Sequence, residues 1–386
     1  MATPVRDPAQ TGAAARAVAI VGLLIGVALA SIVISRGNND PAAVLAFGVE
    51  ATEITDYAED TIGRELPLRP GFGHDGRFFY LQALDPLVLD PDGAPSLLGR
   101  PTYRSQRMLY PMIASAGGLV PAPWLPWTML LTNLAALAFG TAATARVAMR
   151  RGGSAWWGLA FAVNAGVLFE LGIGASGVVA LAAAMAAIDQ IDQRRTWRAV
   201  GWLVAAVLAR EALLVFAFGV ALSEWARRRR LPIEFLAVPA AALSWAAYLR
   251  WRLPDRAVGS EVIELGSPFD GVIDAAVGWT DSLAAGSGLD LAGALVVALA
   301  AAIVIRHAVA HNDPLAWGAT AMIGLVVILS RPVWQHYYDI TRAASPLLTA
   351  ALVLAFCGPR PARRQGRAGS ERQEHPAAPR SPDPTG

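Results

Sequence analysis

The sequence predicts an all-α protein embedded in a membrane, with about ten transmembrane or half-spanning helices and an external first loop carrying amphipathic surface helices. Three observations predict it. Of 386 residues, 55% are hydrophobic and only 16% are charged, against roughly 25% charged in soluble domains. Apolar stretches long enough to enter a bilayer recur between residues 17 and 358, and the mean hydropathy is +0.43. The polar residues at their ends are also sorted. Arginines gather as Arg146, Arg150 and Arg151, as Arg194, Arg195 and Arg198, as Arg227 to Arg230, and as Arg360 to Arg367. The opposite ends carry His74-Asp75-Gly76-Arg77, Glu170, Arg210-Glu211, and Arg331 with His336, Asp339 and Arg342. Arginine-rich loops stay in the cytoplasm, so the second set is expected on the outer face.

The elements follow in order. Residues 1–16 read as a polar, flexible cytoplasmic N-terminus, and 17–358 as the membrane domain. Residues 17–35 follow Arg16 and are long enough to cross a hydrocarbon core. Ala28-Leu29-Ala30 resembles a signal-peptidase site, although a retained anchor is the favoured reading; either places residue 36 outside. Residues 36–108 form the first external loop, with short amphipathic pieces such as Arg77–Leu84 lying at the membrane surface. Residues 109–120 are apolar but too short to span, and suit a half-inserted segment. Residues 124–148 end at the first arginine cluster.

Residues 155–189 lie between two arginine clusters, so a single span would violate the charge bias; two short helices turning near Gly172, Gly174 and Gly177 satisfy it. Residues 197–226 repeat the layout. As one straight helix they would bury Arg210-Glu211 at the bilayer centre, which is costly, whereas a hairpin puts the pair at an outward apex in a cleft walled by protein. Residues 232–251 return outward, 252–287 form a second external loop, 289–310 go in, 315–330 come out and 343–358 go in. The Pro-, Arg- and Ser-rich tail 359–386 has too little apolar surface to fold and reads as a disordered cytoplasmic end. Both termini are thus expected inside.

Several function classes are excluded. No phosphate-binding Gly-rich loop, HExxH or GxSxG motif occurs. No basic stripe with interleaved aromatics points to nucleic acid. Cys357 is the one cysteine, which rules out an intrachain disulfide. No metal is assigned: the His and Asp content permits a divalent cation, but no ligand spacing demands one, and no other cofactor is implied.

Four places can carry chemistry. Asp75 follows Gly73 and His74 and stands at the start of a helix bearing Phe78, Phe79 and Tyr80; an acid there either caps that helix or serves as a base beside a cleft. Tyr103, Arg107 and Tyr110 share one face if 103–110 is a continuous helix. Arg104 or Arg107 then either anchors to lipid headgroups or binds a phosphate, which suits the guanidinium fork. Arg210-Glu211 and Glu170 either satisfy their own turns or face a substrate. In Arg331–Arg342 an interfacial aromatic belt accounts for Trp334, Tyr337 and Tyr338; His336 and Arg342 suit a lipid phosphate.

Three of these segments together resemble the GT-C superfamily of membrane glycosyltransferases, in particular bacterial members linked to cell-surface glycopolymer formation. His74-Asp75-Gly76-Arg77-Phe78-Phe79-Tyr80 is similar to a Tyr-Asp-Gly-Gln-Phe-Tyr-Tyr pattern and is followed by Ala83-Leu84-Asp85-Pro86. Tyr103-Arg104-Ser105-Gln106-Arg107-Met108-Leu109-Tyr110-Pro111 is close to Tyr-Arg-Tyr-Gln-Arg-Ile-Leu-Tyr-Pro. Ala209-Arg210-Glu211 is like a Thr-Arg-Glu-Thr apex. His74 and Arg77 stand where the pattern has Tyr and Gln, and Glu170–Gly177 lacks an Asp-x-x-Glu-Pro character. The resemblance implies a GT-C-like fold in a bacterial plasma membrane. It also implies a sugar donor on a polyprenyl phosphate and a glycan or lipid acceptor, with membrane lipids around them. Asp75 is then the expected general base. His74, Arg77, Tyr103, Arg104, Gln106, Arg107, Glu170, Arg210, Glu211, His336, Tyr337 and Arg342 are the expected substrate and phosphate contacts. The rival expectations are a transporter or flippase, with charges nearer the midplane, a non-catalytic scaffold, and an acyl-transfer or ligase-type membrane enzyme.

Overall fold

The computed structural model describes residues 8–253 and 265–357. Within them the chain is helical, and β pairing is confined to isolated bridges such as Phe47 with Gly73. α1 (Pro8–Arg36) is the first long apolar helix. Over residues 8–16 the chain is helical where a flexible segment was expected, because the run Ala13-Ala14-Ala15 favours continued helix; residues 1–7 of that expected segment lie outside the described residues.

Two helices of the first loop differ in kind. α2 (Thr52–Ile62) buries Thr55, Ala58 and Ile62, one stripe at helical spacing, and exposes Glu53, Asp56 and Asp60, as a surface helix should. α3 (Gly76–Leu84) buries every residue from Gly76 to Ala83. It was expected at the membrane surface; being largely apolar all round, it is enclosed instead. α4 (Pro101–Arg104) and α5 (Leu109–Ala114) are separate, so the continuous helix expected over 103–110 does not form. Pro111 cannot donate to the carbonyl of Arg107 and its ring crowds that group. The half-inserted segment expected over 109–120 is helical only to Ala114, followed by a turn in which Ala116, Gly117 and Gly118 have positive φ.

α6 (Leu125–Arg150) is the second long helix. α7 (Leu159–Ala162) and α8 (Ala165–Gly172) meet at a 50° bend. Asn164 makes that bend: its Oδ1 accepts from Gly166 N–H at 3.0 Å, while its Nδ2 donates to the Ser345 carbonyl and Thr349 Oγ1, both at 2.9 Å. The chain turns after Gly172, where the sequence places a break, and continues as α9 (Gly177–Asp192). α9 is buried except at Gln190 and Asp192. It packs between α6 and α10 (Thr196–Ala209), which is why its Val- and Ala-rich sequence has no polar face. The helix breaks at Arg210, which is extended, and resumes as α11 (Leu213–Arg228).

α12 (Ala237–Arg252) precedes the second loop, where α13 (Asp270–Ala284) forms a helix that the sequence pattern did not reveal; 254–264 lie outside the described residues. α14 (Leu289–His311) is the third long apolar helix. Asp313 caps α15 (Pro314–Val327), accepting from Leu315 N–H at 2.9 Å with Pro314 at the first helical position. After α16 (Arg331–Trp334), α17 (Tyr337–Ala343) and α18 (Ser345–Cys357) meet at 71°, with Pro346 at the break. The tail expected over 359–386 lies outside the described residues.

Among the described residues three helices are long and apolar enough to cross a membrane, or five if each bent pair counts as one span; the chain reads as a membrane protein. The other apolar helices are shorter than the ~20 residues a full crossing needs. Side-chain contacts define two ends. At one, Arg146 and Arg150 pair with Asp189 at 2.8 and 3.0 Å, and Arg151 with Asp313 at 2.5 Å and Asp192 at 3.5 Å. Three of the arginines read as topological signals thus also clamp α6 to α9 and α15. The other end gathers the acids and arginines of α3, α8, α17 and the α10–α11 break.

Candidate functional site

Close backbone approach places the Asp75 loop. Gly73 has φ +77°, and a Cβ on Gly76 would stand 2.2 Å from the Ile173 carbonyl oxygen and 2.6 Å from that of Leu45. Only glycine lets the 73–76 turn lie against the 172–174 turn. Arg69 ties the 172–174 turn to the Pro41–Leu45 segment, its Nη2 donating to the carbonyls of Ala43 at 3.1 Å and Gly172 at 3.2 Å. Asn133, fully buried on α6, donates to the Ala175 carbonyl and to Tyr110 Oη, both at 3.1 Å. The turn that carries Glu170 is therefore fixed from two sides.

The ionic side chains then form an alternating chain. Glu211 accepts a forked pair from Arg107, from Nε at 2.9 Å and Nη2 at 2.8 Å. Arg107 Nη1 lies 4.0 Å from Asp75 Oδ2. Asp75 Oδ2 accepts from Arg342 Nη2, and Arg342 Nε donates to Glu170 Oε1. Glu170 Oε1 also accepts from Arg210 Nη1 at 2.8 Å, and its Oε2 from Gly177 N–H at 2.9 Å. Residues scattered from 75 to 342 thus converge. The Glu170 carboxylate is 2% exposed and that of Asp75 32%, so the chain runs from a sealed anchor to an accessible acid.

Asp75 stands at the head of α3, yet its carboxylate makes no capping bond to that helix; the expected helix cap is replaced by the stronger pull of a guanidinium. Burial pushes the Asp75 carboxyl up, but Arg342 and Arg107 outweigh it and hold it below the usual carboxylate range. His74 is shifted down by burial and by Arg69, which leaves a neutral imidazole packed edge-on to Phe169 at 5.5 Å.

Beyond the chain lies a surplus of cation. Arg77 is 8% exposed, and its Nε and Nη1 are buried without a hydrogen-bond partner. Its guanidinium carbon lies 4.5 Å from the centre of the Phe78 ring, and that of Arg104 lies 3.2 Å from the same centre. Both arginines feel the charge of Asp75, which is therefore shared among four guanidiniums.

The other expected residues divide. Tyr103 joins through its hydroxyl, which accepts from Arg107 Nη2 at 2.9 Å. Tyr110 instead points into the core, donating to the Met129 carbonyl at 3.2 Å. The Gln106 side chain makes no hydrogen bond to a described residue. His336 and Tyr337 are exposed and stand outside the ionic chain. The His336 ring stacks on Tyr338 at 5.0 Å, and Tyr337 N–H donates to Asp290 at 2.9 Å. Their expected convergence with Arg342 fails because α17 turns them to its outer side. Sequence reasoning missed Arg69, Asn133 and Tyr338, which stacks on Phe169 at 4.8 Å. An amide in the middle of an apolar helix was the available signal for Asn133.

Compared with known families, curated proteins and solved structures, the chain matches none.

Proposed function

We propose that the protein is a membrane glycosyltransferase of GT-C-like fold. It moves a sugar from a polyprenyl-phosphate donor to a glycan or glycolipid acceptor on the outer face of a bacterial plasma membrane. About ten helices would be embedded, spanning or half-spanning, with both termini and the arginine-clamped end in the cytoplasm. The observation that carries this reading is the cation surplus around Asp75: its carboxylate is shared among Arg77, Arg104, Arg107 and Arg342, of which Arg107 and Arg342 also hold Glu211 and Glu170 while Arg77 and Arg104 stack on Phe78. Such a site favours an added anion, and a phosphate diester supplies one. An apolar cleft of about 560 Å³ between α5 and α6, lined by residues including Ile113, Val120, Leu131 and Phe139, lies beside the segment that bears Arg107. A prenyl chain fits that chemistry.

The reaction then runs as an in-line displacement. The donor phosphate draws Arg342 and Arg107 toward itself. That loosens their hold on Asp75 and raises its basicity. Asp75 takes the proton of the acceptor hydroxyl, whose oxygen bonds to the anomeric carbon. The bond from that carbon to the phosphate oxygen breaks, and polyprenyl phosphate leaves with the electron pair, stabilised by the arginines. The anomeric centre inverts. General-base help is worth about 10²–10⁴-fold. Bent helices also occur in transporters, but here the charges gather at one end of the bundle and not halfway along it. The test is the surface-glycan composition of a deletion strain complemented with wild type or with Asp75→Asn. The reading expects the glycan to return only with wild type at equal protein abundance; full restoration by Asp75→Asn would remove Asp75 from the mechanism.

A further inference from the structure

The end of the molecule opposite Asp75 holds a second cleft that the transfer chemistry does not use. It encloses about 410 Å³ and is lined by Ile303, Arg306, His307, Ala310 and His311 of α14 and by Ala355 of α18. The α14 residues recur at intervals of three and four and so share one helix face. Three of them carry cationic or protonatable groups. Arg306 is exposed and forms no ion pair with a described residue. His307 Nδ1 is buried without a partner, and its ring lies 5.8 Å from that of His311. The acid closest in sequence, Asp313, is already held by Arg151 and by the first amides of α15. The cleft is thus electropositive, with no acid among the described residues that line it.

Exposed hydrocarbon lies near it: Phe356, next in sequence to the lining Ala355, is 57% exposed, and Val309, next to the lining Ala310, is 83% exposed. Near the far end of α14, Asp290 bonds Tyr337 N–H beside the ionic chain. At 1.5 Å per residue, Asp290 and His311 stand about 30 Å apart, the thickness of a hydrocarbon core. A cationic recess at that depth, flanked by exposed hydrocarbon, meets phospholipid at the level of its phosphate.

We propose that this cleft is a binding site for the phosphate of an anionic phospholipid. Arg306 and His311 donate to the phosphate oxygens, His307 Nδ1–H donates from the floor, and the acyl chains lie along Val309 and Phe356. The two histidines alone do not make a metal site, since no group of three or more metal-ligating side chains occurs among the described residues. The inference depends only on the chain lying in a membrane, not on the glycosyl-transfer reading.

The test uses the full-length protein in mild detergent. Native mass spectrometry and thermal unfolding are recorded with phosphatidylglycerol, phosphatidylcholine, inorganic phosphate or Zn²⁺, for wild type, Arg306→Ala/His311→Ala and Arg306→Lys. Both altered side chains are exposed, so the variants should fold. Phosphatidylglycerol should be retained by wild type and raise its unfolding temperature, with an apparent affinity about 10-fold or more weaker in the double alanine variant. Arg306→Lys should keep most of it. Equal retention by wild type and the double variant would overturn the proposal. So would stabilisation by inorganic phosphate alone, which would mark a soluble anion as the ligand, or by Zn²⁺ in place of lipid.

Discussion

Glu170→Gln perturbs the buried anchor of the ionic chain. The carboxylate accepts from Arg210, Arg342 and the Gly177 amide and is 2% exposed. A glutamine keeps the shape but replaces one oxygen with a donor. Either the Gly177 N–H or the two guanidiniums then face an N–H₂ group, and both arginines lose their shared negative charge. Breaking a buried pair from one side costs about 3–5 kcal/mol. Arg342 keeps Asp75, so the lower end applies, about 3 kcal/mol. At roughly 2 °C per kcal/mol for a chain of this size, the unfolding temperature should fall by about 6 °C. The assay is thermal unfolding in detergent at neutral pH, beside Asp40→Asn as the control. Asp40 pairs with Arg64 at the surface, their side chains 15% and 39% exposed; asparagine keeps an oxygen for the bond Asp40 accepts from Ala42 N–H, and a surface pair contributes about 0–1 kcal/mol. A Glu170→Gln shift no larger than that of Asp40→Asn would refute the view that Glu170 is a charged keystone.

Other consequences follow from the same geometry. Arg77→Leu removes a buried guanidinium whose Nε and Nη1 have no partner, so stability should hold or rise by about 1 kcal/mol while donor KM increases; a large loss of stability would show that Arg77 is structural. Asp75 is held below 3.8, so the acid limb of kcat/KM, which reports the free enzyme, should lie below pH 4 or so. The sign is fixed by that depression: the ion pairs of Asp75 stabilise the fold above its unfolded pKa and are lost as pH falls through the folded value. An acid limb near pH 6 would assign the base to another group. His336→Ala should change kcat/KM by less than about 3-fold, since its ring is exposed and stacks only on Tyr338; a loss approaching that of Asp75→Asn would place the imidazole at the reacting atoms.

The sequence made the long helices legible because composition alone decides them: α1, α6 and α14 each carry enough consecutive apolar residues. The breaks at Gly172–Gly177 and at Arg210 were legible for a different reason, since straight helices there would have set arginines on the wrong side or an ion pair in hydrocarbon. What could not be read is which charges meet. Arg342 and Glu170 are 172 residues apart, and only the packing of α17 on α8 brings them together. The enclosure of α3 was equally hidden, because its short apolar run suits a membrane surface as well as a protein interior. The arginines at the end of α6 looked like topological signals alone, and their pairing with Asp189, Asp192 and Asp313 depends on how the helix ends dock.

The most direct measurement of the central claim is sugar transfer by the purified protein in proteoliposomes, from a radiolabelled polyprenyl-phosphate sugar to extracted envelope glycan. Wild type should transfer label with inversion at the anomeric carbon, and Asp75→Asn should lose about 100-fold or more in kcat while still binding the donor. Transfer by Asp75→Asn at the wild-type rate would contradict the assignment of Asp75 as the base. Wild-type protein that moves the labelled lipid across the bilayer without cleaving it would replace transfer with transport.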